Sequence, residues 1–402
     1  MGMVIMIFKG AIAFPSMEKN EWLALNAISL ATSLILGFNW LFLPVYLLGL
    51  GLGREGMAFA IGLGVFAKIA VAPAIGTLND MLGTRRLLQL SLLALSSGTY
   101  WIASIGNAPK IEEVVLPIML FWAASTALLL SFEASIYKKS VDSQVAKHMG
   151  EYNAVKRIAV GAGVLAGGVL LLTHSFREID FAAAAVSLAI LPLTLLVKHT
   201  IEVKFSLQDY VHEIRKPGVL ALSALIFIFA YEWGTENVML APIMSGNAGL
   251  DSAGIGAVQM VANIALAASS YFIGRKIHGL GKMAKPMMRK IVACGFLLGA
   301  AGCFLLAAAS DFGTAAFARS AFNISEGIVY VSFGFLIGAT FSKKYVGGAN
   351  GVMNVIANAS MMLASFAAGI LSAGSLSLPF VVSGSFLIIG AVIAWAYLGR
   401  DK

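Results

Sequence analysis

The chain has 402 residues, 59% of them hydrophobic and only 12% charged, with a mean hydropathy of +0.87. A soluble domain carries about 25% charge, so this composition excludes a water-soluble globular protein. The net charge of +8 is accounted for by the bias of basic residues toward one side of a membrane and requires no nucleic-acid partner.

A spanning helix needs roughly 20 apolar residues. In chain order the apolar runs predict twelve spans, at 22–50, 56–78, 86–106, 114–137, 153–173, 179–197, 218–244, 252–273, 287–309, 315–341, 347–373 and 377–398. The turns after the first and eleventh spans are very short, so counts of eleven or thirteen stay open. Residues 1–21 read as a cytoplasmic tail or a surface-lying helix. The run Met3 to Phe8 is too short for a signal peptide, and Lys9 follows it instead of preceding it. Between the sixth and seventh spans, segment 198–217 is an amphipathic linker. Val203, Leu207, Tyr210, Val211 and Ile214 fall on one face, and Lys204, Gln208, Asp209, Glu213 and Arg215 on the other, which suits a membrane interface. It divides the spans into bundles 22–197 and 218–402.

With twelve spans, both termini and the loops after even-numbered spans share one side, and those segments hold 23 of the 28 Lys and Arg. Arg54, Lys68, Lys110, Arg177 and Arg319 are the remainder. Both termini therefore face the cytoplasm, in a multi-pass protein of the cytoplasmic (inner) membrane. Cys294 and Cys303 lie nine residues apart on nearly opposite faces of one span. They read as core residues, with no disulfide and no metal-ligand spacing.

Between the second and third spans stands Gly76-Thr77-Leu78-Asn79-Asp80-Met81-Leu82-Gly83-Thr84-Arg85-Arg86. Its skeleton returns 198 residues later as Gly274-Arg275-Lys276-Ile277-His278-Gly279-Leu280-Gly281-Lys282. Gly150-Glu151-Tyr152-Asn153 likewise returns 197 residues later as Gly347-Gly348-Ala349-Asn350. Repetition at half the chain length implies two related halves, the signature of secondary transporters with a midplane site.

On these residues the chain resembles a twelve-helix transporter of the major facilitator superfamily, over about residues 22–398. Gly76, Leu78, Asp80, Gly83, Arg85 and Arg86 fit the family's loop signature, although Met81 and Thr84 stand where a basic residue is usual. His278 takes the acid's place in the second copy. The run Trp40 to Leu47 near the end of the first span also resembles the family. The resemblance implies an all-α membrane fold of two pseudo-symmetric six-helix bundles, a monomer, and a central cavity lined by the first, fourth, seventh and tenth spans. Gly76 and Gly83 permit a tight turn. Asp80 can accept from the start of a neighbouring helix, and Arg85 and Arg86 can reach acids such as Glu133, so that the cluster closes the cytoplasmic face. In Gly161-Ala162-Gly163-Val164-Leu165-Ala166-Gly167-Gly168, Val164 occupies the place of the proline in the family's antiporter signature. Tight helix packing is the simpler reading of those glycines.

Ionisable residues inside spans are expensive, about 2.5–3.5 kcal/mol each on insertion scales. Here they are Lys68 in the second span, Glu232 and Glu236 in the seventh, and Arg319 and Glu326 in the tenth, with Asn323 between the last two. Glu232 and Glu326 fall at similar depth, while Glu236 and Arg319 lie further outward. Arg319 is expected to pair with Glu236 or Glu326, leaving one acid without a full partner and so able to load and release a proton. A purely structural ion pair is the alternative. Lys68 is expected to bond Asn354 or Asn358 or to bind an anionic substrate. Asn39, Trp40, Asn237 and Asn263 are candidate cavity groups or interhelical ties. The segment Glu232 to Asn237, followed by Pro242, suggests a locally irregular seventh span.

The sequence thus describes a secondary active transporter for a small solute, with protons and the lipid bilayer as its other partners. Proton-coupled symport leads, proton-antiport efflux of drugs or metabolites follows, then uniport or a transport-fold sensor. One proton crossing 100 mV supplies about 2.3 kcal/mol, roughly a fifty-fold gradient of a neutral solute. No cofactor is expected and no enzyme activity: there is no phosphate-binding Gly-x-x-x-x-Gly-Lys loop, and His148, His174, His199, His212 and His278 lie at or beyond span ends.

Overall fold

The computed structural model describes residues 19–139, 145–198, 217–280, 284–340 and 346–398. Among them there is no strand, and the helices in chain order are α1 (Lys19–Gly49), α2 (Arg54–Ala103), α3 (Ile111–Lys139), α4 (Val145–Leu170), α5 (Phe176–Ala189), α6 (Pro217–Gly246), α7 (Ser252–Leu280), α8 (Ala284–Ala307), α9 (Phe312–Thr340), α10 (Val346–Ser372) and α11 (Leu378–Tyr397). Eleven segments among the described residues are long and apolar enough to cross a membrane.

The predicted second and third spans both lie in α2. The chain leaves the helical track at Gly83 alone (φ 74°, ψ 153°), in the left-handed region that favours glycine. The turn expected there is therefore one residue wide, and α2 continues after it as a second helical limb to Ala103. Two further expectations change. The sixth span is not one helix: α5 ends at Ala189 and a 3-10 turn, Leu191–Leu196, carries Pro192 near its start. The seventh span is not irregular: α6 is continuous through Glu232, Asn237 and Pro242. A proline removes one backbone hydrogen bond and need not break a helix that its neighbours hold in place.

Large apolar side chains point outward, among them Leu220, Phe317, Ile370 and Val392, each more than 60% exposed. Such a surface fits lipid and not water. Inside, one apolar core, built around Ile28, Leu41, Leu88 and Phe121, continues into the second half through residues such as Val238, Met244, Ile255 and Phe380, and another, around Leu225, Phe229, Phe296 and Phe322, lies within the second half.

The packing repeats between halves. α1 lies on α4 as α6 lies on α10; α2 packs on α3 as α7 and α8 pack on α9; α2 meets α5 as α8 meets α11. Close backbone approaches repeat with it. A Cβ on Gly37 would collide with the Val160 carbonyl, and one on Gly234, 197 residues later, with the Met361 carbonyl. A Cβ on Gly98 would come within 2.9 Å of the Phe121 amide, and one on Gly302 within 2.8 Å of the Phe322 amide. Small residues at these points let helices touch backbone to backbone.

The two bundles, α1–α5 and α6–α11, meet through α4 on α7 and α2 on α10, pairings that interchange when the halves are exchanged. We call the end of the molecule opposite the start of α1 the distal end. There the Ser252 hydroxyl donates to the Gly168 carbonyl at 2.8 Å, joining α7 to α4. Arg54 Nη1 donates to the Ser372 carbonyl at 2.6 Å, joining α2 to α10. The bundles are therefore joined at the distal end. The tail before residue 19, the linker 199–216 and Lys343 lie outside the described residues.

Candidate functional site

Glu232 and Glu236 are one turn apart on α6, and Arg319, Asn323 and Glu326 recur at helical spacing on α9, so each set presents one face. The structure brings them together. Arg319, 1% exposed, forms a close ion pair with Glu236 through Nη1. Its Nη2 donates to Asn323 Oδ1 at 3.0 Å, and its Nε to Gln259 Oε1 of α7 at 3.3 Å. The guanidinium also stands over the Phe322 ring, 5.2 Å from its centroid.

Glu232 is left over. One carboxylate oxygen lies 3.9 Å from Arg319 Nη1, yet neither oxygen has a hydrogen-bond partner among the described residues. Two buried acids thus share one arginine, which donates to Glu236, Asn323 and Gln259 and not to Glu232. With both acids ionised the group carries one uncompensated negative charge. Buried charges need partners, and a single proton supplies the balance.

Glu326 does not pair with Arg319. It accepts from Arg157 Nη2 of α4 at 2.6 Å, an ion pair that crosses between the bundles. Arg157 is the more accessible partner, its side chain 29% exposed against 5% for Glu326. A second tie between bundles joins α1 to α6: Trp40 Nε1 donates to Asn237 Oδ1 at 2.5 Å.

Other expected residues go elsewhere. Asn39 belongs inside the first bundle, where its Nδ2 donates to Asp180 Oδ1 of α5 at 2.7 Å; both residues are fully buried. Lys68 lies over the Trp122 ring of α3, 3.8 Å from its centroid, and not against Asn358. An indole face is the strongest aromatic partner for an ammonium. Asn263 donates to the Gln259 carbonyl of its own helix at 2.8 Å. Glu133 interacts with Lys156 of α4, and no ion pair joins it to Arg85 or Arg86 among the described residues. Gly76 and Asp80 sit in α2 before its break, where the Asp80 side chain lies outside the described residues, as does that of His278. Cys294 and Cys303 are both free thiols.

Sequence reasoning missed three of these residues. Arg157 was counted with the basic residues that set orientation, although it falls inside the predicted fifth span. Asp180 is the second residue of the predicted sixth span, where an acid attracts no attention. Gln259 carries no charge and so drew no notice.

The sequence model of the Major Facilitator Superfamily matches residues 222–402, a stretch that holds Glu232, Glu236, Arg319 and Glu326 within one of two six-helix bundles. Over that stretch the chain is similar to the major facilitator superfamily. The chain is also 23% identical over 187 residues to an uncharacterized MFS-type transporter, YddS, of Bacillus subtilis (strain 168). That stretch covers 46% of the chain and 42% of the relative, so the likeness spans less than half of either protein.

Proposed function

We propose that this protein is a secondary active transporter that moves a small solute by alternating access, with uptake driven by a proton carried on Glu232. The observation that supports the proton role is the buried Glu232 carboxylate, without a hydrogen bond, beside an arginine held by Glu236. In this reading bundles 22–197 and 218–402 rock against each other about the central cluster, and one chain carries the whole site. The distal end faces outward, because the basic residues gather at the other end. The bonds that join the bundles at the distal end then correspond to a form closed to the outside.

Arg157 and Glu326 have a distinct part. Their ion pair spans the two bundles near mid-depth, so it must part or re-form when the bundles separate there. Arg157, partly open, is the group to which an anionic or hydrogen-bonding portion of the solute attaches. Arg319 stays with Glu236 and fixes the field that Glu232 senses.

The test begins with a ligand screen by thermal stabilisation of the purified protein. Flux is then measured in liposomes with and without a pH gradient. Glu232→Gln is expected to abolish gradient-driven uptake, by at least ten-fold, while counterflow exchange persists. Gradient-driven uptake at the wild-type rate in this variant would sink the assignment. Uptake that rises when the lumen is made acidic, instead of the outside, would establish antiport efflux in place of symport.

A further inference from the structure

The Asn39–Asp180 pair lies in the first bundle, apart from the Arg319 cluster. Asp180 is fully buried, and no cation contacts it among the described residues. On its own helix, Arg177 spends its guanidinium on the Tyr46 hydroxyl at 3.1 Å, the Ile105 carbonyl at 2.5 Å and Asn107 Oδ1 at 3.1 Å. Glu178 folds back to cap Ser175, accepting from its amide at 2.7 Å. The elements packed against α5 are α1, α2 and the 3-10 turn. α1 carries charge only at Lys19 and Glu21, and the second limb of α2 only at Arg85 and Arg86, all at the proximal end; the turn carries none. The nearer titratable side chains on these elements are the phenols Tyr46 and Tyr100.

The hydrogen-bond inventory of the pair is lopsided. Both amide hydrogens of Asn39 have acceptors, Asp180 Oδ1 at 2.7 Å and the Ile35 carbonyl at 3.4 Å. What remains is two acceptors without donors, Asn39 Oδ1 and Asp180 Oδ2, both buried. A neutral carboxyl group has one O–H donor. We propose that Asn39 and Asp180 form a second proton-binding site, in which one proton on Asp180 Oδ2 is donated to Asn39 Oδ1. That proton satisfies both orphaned atoms and removes a charge that nothing nearby balances.

The site has a side of access. A distal pocket of about 490 Å³ is lined by Tyr46, Asn107, Ser175, Phe176 and Arg177, among others. Phe176, one turn from Asp180 on α5, stacks on Tyr46 (ring centroids 4.2 Å apart) and on Phe38 (5.0 Å), the neighbour of Asn39. Its ring is the lid between pocket and carboxyl, and protons exchange by way of the distal face.

Infrared difference spectroscopy of the full chain in lipid nanodiscs tests this. A protonated-carboxyl component is expected in the wild type that Asp180→Asn removes and Glu232→Gln retains, whatever separate component Glu232 itself contributes, so failure of the Glu232 assignment leaves this test unaffected. Asn39→Leu removes the acceptor and shifts the band, which keeps the test decisive if Asp180→Asn does not fold. On transfer to D2O, Phe176→Ala is expected to exchange the carboxyl proton several-fold faster than the wild type. A spectrum altered by neither Asp180→Asn nor Asn39→Leu overturns the site, and an exchange rate unchanged in Phe176→Ala overturns the distal route.

Discussion

The two halves of this molecule share a frame and differ in chemistry. Where α1 meets α4, Gly37 stands against the Val160 carbonyl; where α6 meets α10, Gly234 stands against the Met361 carbonyl. Counting from these anchors with the same offset of 197 residues, Asn39 corresponds to Glu236 and Trp40 to Asn237. In the first half that position faces an aspartate, in the second an arginine. Backbone approach has been kept while the polar groups it positions have diverged. The second half holds an ionic cluster, and the first an acid–amide pair. The repeat therefore fixes where polar groups sit, and side-chain identity decides what they do.

The sharpest way to break this asymmetry is Arg319→Met. It leaves Glu232 and Glu236 buried without a cation, and removing one partner of a buried ion pair costs about 3–5 kcal/mol. A large fall in the thermal unfolding midpoint in detergent is expected, partly restored by adding Glu236→Gln. A next test asks whether the shared frame is equally demanding in both halves. Gly37→Ala and Gly234→Ala each force a Cβ onto a backbone carbonyl, and overpacking costs about 1–3 kcal/mol. Similar losses in unfolding midpoint are expected; a neutral effect at either site would show that one half has relaxed.

The smallest effect concerns helix starts. Asp311 accepts from the Thr314 amide at 2.9 Å, and that backbone hydrogen bond, the largest of several, lowers its pKa below the usual aspartate value. Its contribution is present above the unfolded-state pKa and is lost as pH falls through the lower folded-state value. Asp311→Ala should lower the unfolding midpoint slightly at neutral pH, and the difference from the wild type should vanish on acidification. In the other half Lys110 precedes α3 and cannot cap in this way, so neutralising it should leave no such pH signature.

Much of the fold was legible in the sequence because lipid imposes a length rule on apolar runs. The glycine turn and its echo were the sequence signs of two halves. Where the reading slipped, local backbone chemistry was the cause. The sixth span was begun at residue 179, whereas Ser175 and Glu178 form a reciprocal cap that starts the helix at Phe176. That Ser-x-x-Glu pattern was in the sequence. Reading it would have moved Asp180 more than a turn inside the helix and marked it as a buried acid. The cluster on α6 and α9 was legible because acids and an arginine inside spans must find each other. Partners on other helices were not, since Arg157, Gln259 and Trp122 are chosen by packing angles that spacing along one helix does not contain.

The hydrogen bond between Trp40 and Asn237 joins two repeat-equivalent positions to each other. A point and its image lie this close only beside the axis that relates them. At such a place two identical residues seldom complement one another, since a tryptophan indole only donates. Divergence here was thus a condition for making the bond at all. The bond ties the two halves together at their shared axis, so any movement that parts α1 from α6 there must first break it.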